Sequence, residues 1–104
     1  MTKSNKTKSP EIGSEELAPL RSEIDMLDDQ IMALLAKRLD CCHRVAEIKR
    51  QHDIPVVLEE RIAAVIERAE TYANAHSLDT DFYKTIYKRI IEATCDVEIK
   101  RLSK

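Results

Sequence analysis

The sequence predicts an all-α fold of three helices per chain, one of them very long, and three observations carry that prediction. Apolar residues recur at threes and fours across most of the chain, the period of an amphipathic helix. Gly13 is the only glycine, and proline stands only at positions 10, 19 and 55. Aromatic residues make up 4% of the chain. That is too few, with so few turn formers, for a β-sandwich or an α/β sheet.

Residues 1–13, "MTKSNKTKSPEIG", are polar and carry three lysines with no apolar core. They read as a disordered tail ahead of a helical domain at 14–104. They lack the apolar region of a secretory signal, and no later run is long enough to span a bilayer. A cytoplasmic protein with no membrane partner is the expectation.

The first helix runs from about Leu17 to His52. Leu17, Leu20, Ile24, Leu27, Ile31, Leu34, Val45 and Ile48 line one face, and charged residues fill the other. Ser14 is a candidate cap, and Pro19 suits only a first turn, which leaves the start open by several residues. Pro55 disfavours a helical Ile54, so the helix should end near Asp53. A second helix is expected from Glu59 to Ala75, with Ile62, Val65, Ile66, Ala69, Tyr72 and Ala73 inward. Asp79 or Thr80 would then cap a third helix, with Phe82, Tyr83, Ile86, Tyr87, Ile90, Ile91, Thr94 and Val97 facing the core.

Length argues for a second copy. A helix of about 35 residues spans roughly 52 Å, whereas a compact chain of this size is only about 35 Å wide. The apolar stripe on the overhang needs cover, and two long helices packed together supply it. A homodimer is therefore expected. The alternative is a helix broken near Cys41–His43, giving a monomeric bundle.

Within "KRLDCCHRVAEIKR" (37–50), positive charges occupy the stripe that should be buried. At about 100° per residue, Ile31, Leu34, Cys42 and Val45 point within roughly 40° of Arg38, and Lys49 returns to within about 20° of it. Buried unpaired cations are costly, so these two must snorkel to water, pair with acids or face a ligand. Arg21 lies about 100° away around the same helix. It cannot readily serve that pocket within one chain, but it could reach the pocket of a partner chain. On the third helix Thr94 and Glu98 form an i, i+4 pair. Cations, a hydroxyl and a carboxyl group inside a bundle suit a small polyanion. No glycine-rich cradle for a nucleotide is present.

Seventeen basic and nineteen acidic residues are interspersed, which argues against a nucleic-acid surface. Cys41, Cys42 and Cys95 form no framework of disulfides and fit a reducing compartment. Side chains at 41, 42 and 43 fan out around a helix and cannot converge on one metal ion. Cys42 is expected to pack as a small apolar group, Cys95 to lie on helix surface or in the core, and His43 to be solvated.

The stretches "LAPLRSEIDMLDDQIMALLAKR", "VAEIK", "IPVVLEERI" and "LDTDFYKTIYKRIIEATCDVE" resemble the all-helical chorismate mutase family over residues 16–100. The spacing from Arg21 through Arg38, Lys49 and Pro55 to Arg61 follows the family pattern without a gap. The resemblance implies an intertwined homodimer with two equivalent sites and no cofactor or metal. It implies that Arg38 and the partner's copy of Arg21 grip the two carboxylates of a chorismate-like substrate. Lys49 would sit by the ether oxygen, Arg61 would match the motif arginine of the second helix, and Thr94 would take the place of a small hydroxyl residue. Glu98 would stand where a Gln or Glu contacts the ether oxygen, and it would do so in its protonated form. Lys49, Glu98 and Arg38 are thus the expected catalytic residues.

Leu58 and Ile62 complete the expected binding set. They stand where typical mutases carry acids, one of which meets the substrate's 4-hydroxyl. The departure leaves three substrates open: chorismate, its 4-amino-4-deoxy analogue, and isochorismate, which related lyases split to salicylate and pyruvate. The ending "CDVE" and the six-residue step from Lys49 to Pro55 look more like the mutases. A non-catalytic helical dimerisation or regulatory module is the competing class.

Overall fold

The computed structural model describes residues 13–102, and these form three helices: α1 (Ser14–Gln51), α2 (Glu59–Ala75) and α3 (Thr80–Leu102). Of the expected tail, only Gly13 falls within the described residues. The chain divides into two units, Met1–Ala36 and Lys37–Lys104.

α1 is unbroken through Cys41–His43, which overturns the split-helix alternative. Its start corrects the expected cap by one residue. The Gly13 carbonyl accepts the first helical bond from the Leu17 N–H at 2.9 Å, so Gly13, at φ 80°, is the entry residue and Ser14 is already helical. Pro19 lies inside the helix; it has no N–H to donate to the carbonyl four residues back.

α1 and α2 end by the same device. Asp53 adopts a left-handed φ of 56°, and the Ile54 N–H donates back to the Lys49 carbonyl at 2.8 Å. Ser77 has φ 57°, and the Leu78 N–H donates to the Ala73 carbonyl at 2.8 Å. Both are six-to-one closures that satisfy carbonyls left over at a helix end. Pro55 follows the first of them, two residues past the point where the sequence alone puts the stop. α3 opens on Asp79, not Thr80: the Asp79 carboxylate accepts the Phe82 N–H at 3.1 Å, and its carbonyl accepts the Tyr83 N–H at 3.2 Å.

In the unit that begins at Lys37, α2 packs closely along α3, and α1 reaches α3 through its side chains. The core is thin. Among the described residues the buried apolar set is Cys42, Ala46, Val65, Ala69, Ala73 and Ile91, and no large side chain is wholly enclosed. Tyr72 and Phe82, expected inward, are 50% and 57% exposed, because they stack with His76 and Tyr83 along the outer edge of the α2–α3 pair. Tyr83 and Tyr87 line an open cleft of about 770 Å³ with Ala64, Val65, Arg68 and Tyr72.

In the other unit the α1 stripe is uncovered. Leu17, Leu20, Ile24, Leu27, Ile31 and Leu34 are between 41% and 62% exposed. Among the described residues, no helix is long and apolar enough to cross a membrane.

Candidate active site

The charged residues that break the α1 stripe turn toward α3. Arg38 and Lys49 are eleven residues apart, three turns of one helix. Thr94 and Glu98 are one turn apart on α3. The two pairs meet in register. The Arg38 guanidinium donates from Nη1 to the Thr94 hydroxyl at 2.7 Å, and the Lys49 ammonium lies 2.8 Å from Oε1 of Glu98. Glu98 is the one buried charged residue among those described, at 4% exposure.

Lys49 has a second acceptor, the Val56 carbonyl at 2.8 Å. That carbonyl belongs to the turn that follows the left-handed Asp53. The closure of α1 and the position of the lysine head are therefore linked. An ammonium has three N–H donors, and these two contacts leave one for a ligand.

Thr94 Oγ1 also donates to the Ile90 carbonyl at 3.0 Å and accepts a weak bond from the Cys42 thiol at 3.7 Å. Cys42 is buried, as expected, and it lies one turn beyond Arg38 on the same face. The next residue on α3, Cys95, has its thiol pKa pushed up, chiefly by burial, with the Glu98 charge adding to the rise and Lys49 opposing it. A thiol held protonated in this way is a poor nucleophile. His43 corrects an expectation: it is half-buried, and its Nδ1 is sealed from water without a hydrogen-bond partner, where a solvated ring was predicted.

The other expected binding residues stand apart from this cluster. Arg61 is exposed in the first turn of α2, and no hydrogen bond or ion pair joins it to the four. Leu58 is the extended residue before α2, 37% exposed, and its carbonyl receives the Ile62 N–H at 3.0 Å. Ile62 is half-buried. Arg21 is exposed within the first unit. None of the four cluster residues lines the cleft beside Tyr83 and Tyr87. Among the described residues, no three His, Cys, Asp or Glu side chains converge as a metal site requires.

Two contacts escaped sequence reasoning. The Cys42 thiol could have been found, since it is four residues beyond Arg38 and shares its face. The Val56 carbonyl could not, because a backbone acceptor leaves no mark in residue type.

The seam between α1 and α3 thus carries two cations, a hydroxyl and a buried carboxyl group. The family description "Chorismate mutase type II" matches residues 20–99, a span that contains every residue from Arg21 to Glu98. The chain belongs to that family. It is 37% identical over 89 residues to a 4-amino-4-deoxychorismate mutase of Streptomyces pristinaespiralis, covering 86% of this chain and 69% of the relative. A protein of the same description from Streptomyces venezuelae is 37% identical over 83 residues, 80% of this chain and 81% of the relative. A chorismate mutase of Methanocaldococcus jannaschii is 35% identical over 78 residues, 75% of this chain and 79% of the relative.

Proposed function

We propose that the protein is a mutase that rearranges 4-amino-4-deoxychorismate to 4-amino-4-deoxyprephenate, as a homodimer in which Arg21 of each chain completes the site of the other. The observation that carries this reading is the register of α1 on α3, which sets Arg38 by Thr94 and Lys49 by Glu98. The two Streptomyces relatives support the amino substrate. Chorismate itself is the second reading, favoured by the Methanocaldococcus relative.

The reaction is a concerted pericyclic shift. One ether C–O bond breaks, one C–C bond forms, and no atom leaves. Such a step needs no nucleophile. The protein holds the enolpyruvyl arm over the ring, which removes entropy from the barrier, and it stabilises the negative charge that grows on the ether oxygen. Arg38 and the partner's copy of Arg21 hold the two carboxylates by charge-assisted bonds. The unused N–H of Lys49 meets the ether oxygen as a preorganised donor, its head held by Glu98 and the Val56 carbonyl.

The dimer follows from the uncovered α1 stripe. Each large aliphatic side chain moved out of water contributes about 1.5–3 kcal/mol, and the thin core of one chain leaves at least six of them exposed. A cytoplasmic location accompanies the reading, because the three free cysteines suit a reducing compartment.

Incubation with 4-amino-4-deoxychorismate, chorismate and isochorismate in turn, followed by product analysis, tests the proposal. Amino-prephenate as the fastest product is expected. Prephenate as the fastest product would transfer the assignment to chorismate, and salicylate with pyruvate would make the protein a lyase. No turnover of any of the three would leave a helical dimerisation module.

A further inference from the structure

Lys49 is held at both ends by one turn. Its main-chain carbonyl accepts the Ile54 N–H at 2.8 Å, and its ammonium donates to the Val56 carbonyl at 2.8 Å. Both contacts depend on Asp53, whose left-handed φ of 56° reverses the chain past the end of α1. Pro55, between the two, has its φ fixed by its ring. Ile54 and Val56 are half-buried while Pro55 and Val57 are exposed, so the turn is pegged inward at the residues that touch the lysine. The closure at Ser77 is of the same kind. There the Leu78 N–H meets the Ala73 carbonyl, and an alanine has no head to hold.

We propose that this turn is a positioning device for the Lys49 ammonium, and that Asp53 is a positioning residue that acts on the reaction only through it. The consequence for catalysis rests on the mutase reading. The physical case lies in the number of donors. An ammonium spreads three N–H groups around one axis, at the end of a stem with large rotamer freedom. Glu98 fixes one of them, at 2.8 Å, and by itself leaves the head free to turn about that bond. The Val56 carbonyl fixes a second, and two fixed donors set the direction of the third. That third N–H is the one left for the ether oxygen. A carbonyl is also neutral, so it anchors the head without cancelling its charge. A donor aimed in the free protein costs no reorganisation when charge develops on the substrate.

Two matched substitutions test this. Valine resists a left-handed φ, so Asp53→Val and Ser77→Val strain like turns at the ends of α1 and α2. Only the first turn holds Lys49. Asp53→Val should lower kcat about tenfold, the scale of one hydrogen bond to a charged group. KM should stay within about twofold of the parent, since the third N–H acts on charge that develops only in the transition state. Asp53→Gly, which adopts the left-handed conformation freely, should restore kcat. Ser77→Val should keep the kcat of the parent at temperatures where melts show it folded. The readout independent of turnover is the Lys49 ammonium signal in ¹⁵N-labelled protein, assigned by its absence in Lys49→Arg. It should be sharp in the parent, in Asp53→Gly and in Ser77→Val, and broadened in Asp53→Val. A signal unchanged by Asp53→Val would overturn the proposal, and so would equal losses of kcat in the two valine variants. Should Asp53→Val fail to fold, Asp53→Ala and Ser77→Ala serve both measurements. A parent that turns over none of the three candidate substrates defeats the mutase reading, and the Lys49 signal then still decides whether the turn holds the lysine.

Discussion

The Lys49 ammonium lies 2.8 Å from the Glu98 carboxylate, with the two side chains only 12% and 6% exposed. An ion pair so withdrawn from water has two separable consequences, one for stability and one for chemistry. Taking one partner away leaves an uncompensated charge in a dry place, which costs about 3–5 kcal/mol. Replacing both by apolar groups of similar size is often neutral. Lys49→Met should therefore lower stability by about 3 kcal/mol, and Lys49→Met with Glu98→Leu should recover most of it. Neither variant should turn over substrate, because the donor to the ether oxygen is gone. Denaturant melts of the three proteins at one fixed concentration, beside a turnover assay, check both halves. Activity surviving in the doubly substituted protein would remove Lys49 from the chemistry.

Glu98 itself is open to a sharper test. Negative charge grows on the ether oxygen during the rearrangement, and an ionised carboxylate beside it opposes that growth, whereas a protonated one donates to it. Glutamine keeps the acceptor that Lys49 uses and adds a permanent N–H. Glu98→Gln is thus expected to keep or raise kcat at neutral pH. Turnover assays of the two proteins at neutral pH measure this. A large drop in kcat for Glu98→Gln, with folding and KM intact, would show that the carboxylate is needed in its charged form.

Most of this arrangement was legible in residue spacing. Arg38 and Lys49 on the apolar side of α1, and Thr94 and Glu98 one turn apart on α3, follow from 3.6-residue periodicity alone, since each pair returns to one face. The span of α2 was legible for the same reason, and the cap of α3 only as Asp79 or Thr80, since both residue types cap helices. The stop of α1 near Asp53 was legible from Pro55, but its start and the means by which it stops were not. Asp53 and Gly13 act there through backbone conformation, and residue type only weakly encodes a left-handed φ in an aspartate. Tyr72 and Phe82 were misread inward because periodicity weighs all apolar residues alike. It is blind to an aromatic edge that stacks on itself.

The helix ends give predictions that involve no ligand. Asp79 satisfies one of the free N–H groups at the start of α3, so Asp79→Ala should cost about 1 kcal/mol. Ser77 occupies the left-handed position that ends α2, where a side chain is strained and glycine is not. Ser77→Gly should stabilise by roughly 0.5–1 kcal/mol. For a domain of this size each kcal/mol moves Tm by about 4–8 °C, so thermal melts at matched protein concentration resolve both. The signs are opposite, and a Ser77→Gly protein that melts lower than the parent would contradict the account of the α2 end.

The shared site can be tested by mixing two inactive proteins. In the proposed dimer each site uses Arg38 of one chain and Arg21 of the other. Arg21→Ala and Arg38→Ala homodimers each lack one arginine in both sites and should be nearly inactive, since loss of a carboxylate clamp weakens both binding and orientation. When the two are unfolded together and refolded, random pairing makes about half of the dimers mixed. A mixed dimer contains one site with both defects and one with neither. The mixture should therefore regain about a quarter of the parent activity, with the KM of the parent. If each site drew Arg21 and Arg38 from the same chain, no pairing of these two proteins would assemble an intact one, and mixing would restore nothing. The size of the recovered activity thus separates a site built across two chains from one built within a single chain, whatever the substrate proves to be.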